Sequence, residues 1–209
     1  MPINYQVKQG DCISSIAYEH GFSPETLWNE PNNSELRTKR MDRNILFPGD
    51  VVFVPDKRIK EVREATDQVY KYKLKNTPEK LRLQLLKEGE PRRSEAYELE
   101  IDDLRFNGST DGEGRIEHSV PPDSKSGKLK LRQGEEVYDL SIGHLDPLNE
   151  ISGAQGRLRH LGYYFGPIDG ADSAEFEHAV QLFQAAKGFE PSGDLDARTQ
   201  DALHEGYGR

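Results

Sequence analysis

The side chains able to do acid–base, nucleophilic or metal chemistry are scattered along this chain rather than grouped. The six histidines, His20, His118, His144, His160, His178 and His204, include no H-E-x-x-H pair and no other recognisable zinc spacing. Cys12 is the single cysteine, so no intrachain disulfide can form, which suits folding in a reducing compartment. Its flanks do not supply the His-Gly-Cys context of a transpeptidase nucleophile. Asp102 and Asp103 are adjacent, and neighbours on a strand point to opposite faces, so they are not expected to work as a carboxylate pair. The acidic run Gly108-Ser-Thr-Asp111-Gly-Glu-Gly114 lacks the Asp-x-Asp-x-Asp-Gly order and closing Glu of a helix-loop-helix calcium site, and a plain hairpin turn is expected there. No catalytic residue, metal ligand or cofactor is nominated, and a non-enzyme is expected. A two-carboxylate glycosidase pair stays open, because its spacing exists only in the folded chain.

The composition sets what can position any site. Of 209 residues, 34% are hydrophobic and 31% charged, a supply that suits several small cores better than one large one. A net charge of −9 argues against nonspecific binding to a phosphate backbone, so nucleic acid is not an expected partner. No apolar run approaches the roughly 20 residues needed to cross a bilayer, so membrane insertion is not expected. Met1-Pro-Ile-Asn is neither a basic leader nor followed by an apolar segment with a cleavage site; synthesis in the cytoplasm is the expectation. Periodicity and turn residues divide the chain into a unit at 1–56, a charged connector at 57–75, a unit at 76–147 and a last unit at 148–209, a multidomain α+β organisation.

In the first unit, Tyr5 and Val7 alternate with polar neighbours as a short strand, and Gly10-Asp11 makes a turn. Ile13, Ile16, Ala17 and His20 have helical spacing, with Gly21 at the C-terminal cap. Ser23 and Pro24 open a second helix carrying Leu27 and Trp28, and Val51, Phe53 and Pro55 close the unit as a strand. Tyr5-Gln-Val7-Lys-Gln-Gly10-Asp11 together with Ile45-Leu-Phe-Pro48-Gly49-Asp50-Val51-Val52-Phe53-Val54-Pro55 resembles a LysM domain, whose family fold is βααβ and whose family ligand is N-acetylglucosamine-containing glycan. The resemblance implies a shallow groove with Gly10, Asp11, Cys12 and Ile13 on one side and Leu46, Phe47, Pro48 and Gly49 on the other. Turn formation is the alternative role for Gly10, Pro48 and Gly49. Cys12 replaces the usual Thr, a weaker hydrogen-bonding group. The extended stretch Trp28 to Asn44, ahead of Ile45 to Asp50, is similar to LysM proteins of contractile injection machines, type VI secretion above all.

The middle unit alternates with period two in Leu81 to Leu85, Tyr97 to Ile101, Leu104 to Phe106, Ile116 to Val120, Lys128 to Leu131 and Val137 to Ile142. These segments predict an antiparallel β-sandwich with one wet face per sheet. Gly108 to Gly114 resembles a turn of transthyretin-like sandwiches. Spacing or docking is the expected job.

In the last unit Phe176, Ala179, Val180 and Phe183 share one helix face and predict a bundle core. Gln155-Gly-Arg157-Leu158-Arg-His-Leu161-Gly162-Tyr163, then Gly166-Pro-Ile-Asp169-Gly170, then Phe183-Gln184, Gly188, Gly193, Asp196, Thr199 and Leu203 resembles a three-helix peptidoglycan-binding domain. Ala171 to Phe176 departs from that family's Gly-x-x-Thr, and Ser173 is the expected cap of the middle helix. Tyr163, Tyr164, Phe165 and Asp169 are nominated as ligand contacts, since aromatics stack on sugar or apolar peptide groups and Asp accepts hydrogen bonds; loop packing is their alternative role.

Two such resemblances imply peptidoglycan, through glycan, stem peptide or both, as the partner of a noncatalytic adaptor served by a contractile machine. A secretion spike or effector is then a second partner, and action at the periplasm or target-cell envelope follows from delivery by that machine. A phage-tail-like structural or baseplate component with a vestigial groove, and a targeting or chaperone subunit for a separate wall hydrolase or toxin, are the alternatives.

Overall fold

The computed structural model describes residues 1–57, 69 and 78–207. The expected connector at 57–75 therefore lies, apart from Lys57 and Val69, outside the described residues.

The N-terminal unit pairs strand β1 (Ile3–Gln6) antiparallel with β2 (Val51–Val54), Tyr5 opposite Val52. Between them lie helices α1 (Ile13–His20), α2 (Pro24–Trp28) and α3 (Ser34–Lys39), the last preceded by a 3-10 turn at Pro31–Asn33. Local stereochemistry accounts for the first two helices. The Ser23 hydroxyl accepts from the Thr26 N–H with Pro24 at the first helical position, and Gly21, at φ 68°, ends α1 in the left-handed conformation that costs glycine nothing. The third helix was not in the expected βααβ order. It forms because Pro31 starts a tight turn that buries the Asn33 amide: Nδ2 donates to Leu27 O and Phe53 O, both at 2.9 Å, and Oδ1 accepts from Phe53 N–H at 2.7 Å. The core beneath consists of Val7, Ile13, Ile16, Ala17, Leu27, Leu36, Leu46, Val52 and Val54.

The middle unit places β3 (Glu79–Gln84) against β8 (Arg115–Val120) and a short β4 (Leu86–Lys87) against β5 (Glu90–Pro91). A four-stranded antiparallel sheet runs in the order β10-β9-β6-β7, from β6 (Ala96–Ile101), β7 (Leu104–Ser109), β9 (Ser126–Leu131) and β10 (Glu136–Ser141). Tyr97, Leu99, Ile101, Leu129 and Leu131 of that sheet share one cluster with Ile116 and Val120 of β8, so the core lies between the larger sheet and the β3–β8 pair. Two expectations are corrected. Gly108 to Gly114 does not close a hairpin, because β7 pairs with β6 and β8 with β3; the segment carries the chain from one pairing to the other. Asp111 shapes it, Oδ1 accepting from the N–H groups of Glu113 and Arg115 at 2.8 Å each. Asp102 and Asp103 are not strand neighbours either. They form the two-residue turn between β6 and β7, where Ile101 pairs with Leu104 and Asp102 has φ 48°.

The last unit is helical: α4 (Ile151–His160), α5 (Ala174–Ala186) and α6 (Ala197–Tyr207). Its core is Ala154, Leu158, Tyr164, Phe176, Ala179, Val180, Phe183 and Leu203. The Ser173 hydroxyl accepts from the Phe176 N–H and caps α5.

Asn33→Ala removes the three hydrogen bonds of a buried amide and takes partners from backbone groups of Leu27 and Phe53, so a loss of about 2–4 kcal/mol is expected in denaturant unfolding of the full chain. A loss below about 0.5 kcal/mol, the level of an ordinary surface change, contradicts this account of the third helix.

Candidate functional site

The C-terminal unit is built around two buried glutamines. Gln155, on α4, has no exposure. Its Oε1 accepts from the N–H groups of Asp169 and Gly170 at 3.0 and 2.9 Å, and its Nε2 donates to Asp169 Oδ1 and Ala171 O at 3.2 and 3.0 Å. Gln184, on α5, repeats the device: Oε1 accepts from Gly193 N–H at 3.0 Å, while Nε2 donates to Asp194 O and Thr199 Oγ1, each at 3.0 Å. Each helix thus staples the loop that follows it. Neither glutamine is among the residues nominated from the sequence. Their signal was a polar residue beside the buried stripe of an amphipathic helix, followed by an Asp-Gly or Gly-Asp turn.

The first stapled loop carries the nominated residues, and they divide. Tyr164 is 1% exposed; its hydroxyl donates to Pro167 O at 2.8 Å and its ring meets Phe176 edge-on. Tyr163 is half-buried, edge-on to Phe183. Asp169 is a turn former: Oδ1 also accepts from Ala171 N–H at 2.9 Å, and that bond, followed by the one from Gln155, lowers its pKa. Phe165 projects, at 81% exposure, with Ile168 nearby in the loop at 45%, and Asp169 is exposed beside them. Gly166 sits between them where a Cβ would come within 2.6 Å of the Tyr164 hydroxyl. A buried tyrosine and a buried glutamine therefore brace a loop that presents apolar groups to solvent. Such a surface suits sugar rings or apolar peptide groups.

The N-terminal nominees divide as well. Ile13 and Leu46 are buried in the core, Pro48 and Gly49 are exposed, and Asp11, Cys12 and Phe47 are half-buried. The structure joins the two loops: Ile13 N–H donates to Arg43 O, Gly49 N–H to Val7 O and Val7 N–H to Asp50 O, each at 2.9 Å. Cys12 acts as the cap of α1, its Sγ accepting from Ser15 N–H while Ser15 Oγ accepts from Cys12 N–H. Asp11 Oδ2 accepts from the Tyr5 hydroxyl and from Lys8 N–H, both at 2.9 Å. Burial, then the bond to Asp11, pushes the Tyr5 phenol up to about 12. Phe47 lies under the Arg40 guanidinium, 5.4 Å from the ring centre.

Gly10 is buried, and what covers it belongs to the middle unit. Lys125 Nζ donates to Gly10 O at 2.7 Å and to Asp11 Oδ1 at 2.9 Å, and the His144 ring packs against Gly10. For Asp11, burial raises the pKa but the Lys125, Lys8 and Tyr5 hydrogen bonds outweigh it, and the result lies below the ordinary 3.8. Asp50 behaves likewise, with burial outweighed by Arg40, Phe47 N–H and Lys39. Among the described residues, no group of three His, Cys, Asp or Glu side chains is placed to hold a metal ion, and no helix is long and apolar enough to cross a membrane.

Residues 148–203 match the family described as "Putative peptidoglycan binding domain", and a peptidoglycan-binding domain is present there. Among curated proteins, the chain is similar to the "Localization factor PodJL" of Caulobacter vibrioides in strains NA1000 and CB 15, at 33% identity over 78 residues in each case. The match covers 36% of this chain and 8% of those relatives, so the chain spans a small fraction of their length. No solved structure matches this chain at a significant level.

Because the folded-state pKa of Asp11 is depressed, its stabilising contribution is complete above the ordinary carboxylate value and disappears as pH falls through the lower folded value. Unfolding free energy measured against pH should therefore fall less steeply below about pH 4 in Asp11→Asn than in the parent chain. Parallel curves contradict the ion pair with Lys125.

Proposed function

We propose that this chain is a noncatalytic peptidoglycan-binding adaptor whose C-terminal domain makes the wall contact. The observation that carries the reading is that the domain at 148–203 holds Phe165 and Ile168 in solvent on a loop braced by Gln155 and Tyr164. The N-terminal unit serves as a second, LysM-like module for N-acetylglucosamine-containing glycan. Its strand pairing and the approach of its two nominated loops support that role. Two weak modules on one polymer raise apparent affinity, because the second contact becomes intramolecular. The resemblance of Trp28 to Asp50 supports service in a type VI or related contractile injection system, with a spike or effector protein as second partner and delivery to the periplasm or a target-cell envelope. The designation of the similar proteins as localization factors supports an addressing role over a catalytic one.

A second reading, a structural component with a vestigial N-terminal groove, is favoured by one observation: Lys125 and His144 cover Gly10.

Sedimentation of the full chain with purified peptidoglycan sacculi tests the reading. Retention at micromolar concentration is expected. Phe165→Ala should weaken it about fivefold, in line with about 1 kcal/mol for an aromatic contact, while unfolding stability stays within about 0.5 kcal/mol because the ring is exposed. A parent chain left wholly in the supernatant sinks the proposal.

A further inference from the structure

The segment from Gly143 to Glu150 runs from the first nominated N-terminal loop to Arg40, the neighbour of Phe47 in the second. At its start, Gly143 and His144 pack on Gly10; Gly143 has φ 76°, and a Cβ there would come within 2.7 Å of Gly10 O. Gln9 Nε2 donates to His144 O and Asp146 Oδ1 at 3.3 and 3.4 Å. At its end, Arg40 Nη1 donates to Asn149 Oδ1 at 3.1 Å and to Glu150 Oε1 at 2.9 Å, and Arg40 is the residue stacked on Phe47. Lys125 bridges beside the first contact, to Gly10 O and Asp11 Oδ1. The C-terminal domain pins the segment from its other side, Arg157 Nη1 donating to Asp146 O at 2.8 Å. Gly153 lies so close to Pro147 O that no side chain fits.

We infer that Gly143 to Glu150, with Lys125, is an autoinhibitory strap: it closes the N-terminal groove, and an N-acetylglucosamine oligomer enters only when the strap lifts. The inference rests on the reading of those loops as a glycan site and adds its regulation. The groups the strap engages, Gly10 O and the Asp11 carboxylate, are acceptors that sugar hydroxyls and acetamide N–H groups would otherwise use, so strap and oligomer compete for the same atoms. Lifting the strap also frees the C-terminal domain from Arg40, so glycan capture at one module widens the reach of the other. Cations alone do not hold the strap. Gly143 contributes a backbone approach that only glycine permits, which separates its effect from that of charge.

The experiment uses the full chain and two variants. Gly143→Ala forces the strap off by steric contact, and Lys125→Met, at a side chain 45% exposed, removes two hydrogen bonds with little risk to folding. Binding of the N-acetylglucosamine hexamer is measured by calorimetry, and amide hydrogen exchange is followed at residues 8–13. Faster exchange and about tenfold tighter hexamer binding in the variants is the expected result, the gain produced when an open fraction of about one tenth becomes nearly complete. Equal affinity in parent and variants overturns the strap, whether that affinity is high or undetectable, as does unchanged exchange. Sacculus sedimentation of the same proteins is read alongside: retention with equal, measurable hexamer affinity overturns the strap alone, retention with no hexamer binding in parent or variants overturns the N-terminal glycan site with it, and loss of all retention overturns the wall-binding reading.

Discussion

A guanidinium with no solvent exposure must have its charge compensated, and Arg40 is the one on which the arrangement of the units depends. Its Nε and Nη2 donate to the two oxygens of Asp50 at 2.7 and 3.2 Å, and its Nη1 reaches Glu150 at 2.9 Å. Asp50 belongs to the turn before β2, and Glu150 stands at the N-terminal end of α4. One buried cation therefore joins the closing strand of the first unit to the opening helix of the last. Removing Asp50, whose side chain is buried, leaves that charge without its main compensation, a loss of about 3–5 kcal/mol for buried pairs of this kind, whereas the partly exposed Glu150 contributes less. With Arg40 fixed, Phe47 has its cation neighbour, and the segment from Gly143 to Glu150 has its far anchor.

The same economy of means recurs in the wall-binding domain. Gln155 and Gln184 each use the carbonyl and amide ends of one side chain to organise the loop after their helix, so the loop geometry is set by residues inside the core. Buried amides satisfied on all sides rigidify a site, whereas the same groups half-satisfied would destabilise it. Rigidity matters for Phe165, because an aromatic held outward before binding loses little conformational freedom on contact. The exposed ring is thus a product of the packing beneath it: Tyr164 turns inward to fill the core, and its neighbour in sequence is directed out.

The parts legible in the sequence were those governed by local stereochemistry. Gly21, Ser23 with Pro24, and Ser173 mark helix ends through single-residue geometry, and the structure places caps at each. Period-two alternation gave the strands and their buried faces but not their partners, which is why the chain between β7 and β8 was expected to be a hairpin although it crosses between pairings. The third helix depends on an Asn33 amide that reaches Phe53, twenty residues away. In Tyr163-Tyr164-Phe165, three consecutive aromatics carry no sequence signal for which one faces solvent. The covering of Gly10 by Lys125 joins residues separated by 115 positions, a distance at which spacing conveys nothing.

The central claim, that wall contact is made by the braced C-terminal loop while the N-terminal groove is closed, is tested most directly by mapping amide chemical shifts of the full chain on titration with soluble peptidoglycan fragments. The account predicts that residues 163–171 shift first, with residues 8–13 shifting only at higher fragment concentration. Perturbation of residues 8–13 and 46–49 without change in the C-terminal loop would contradict it.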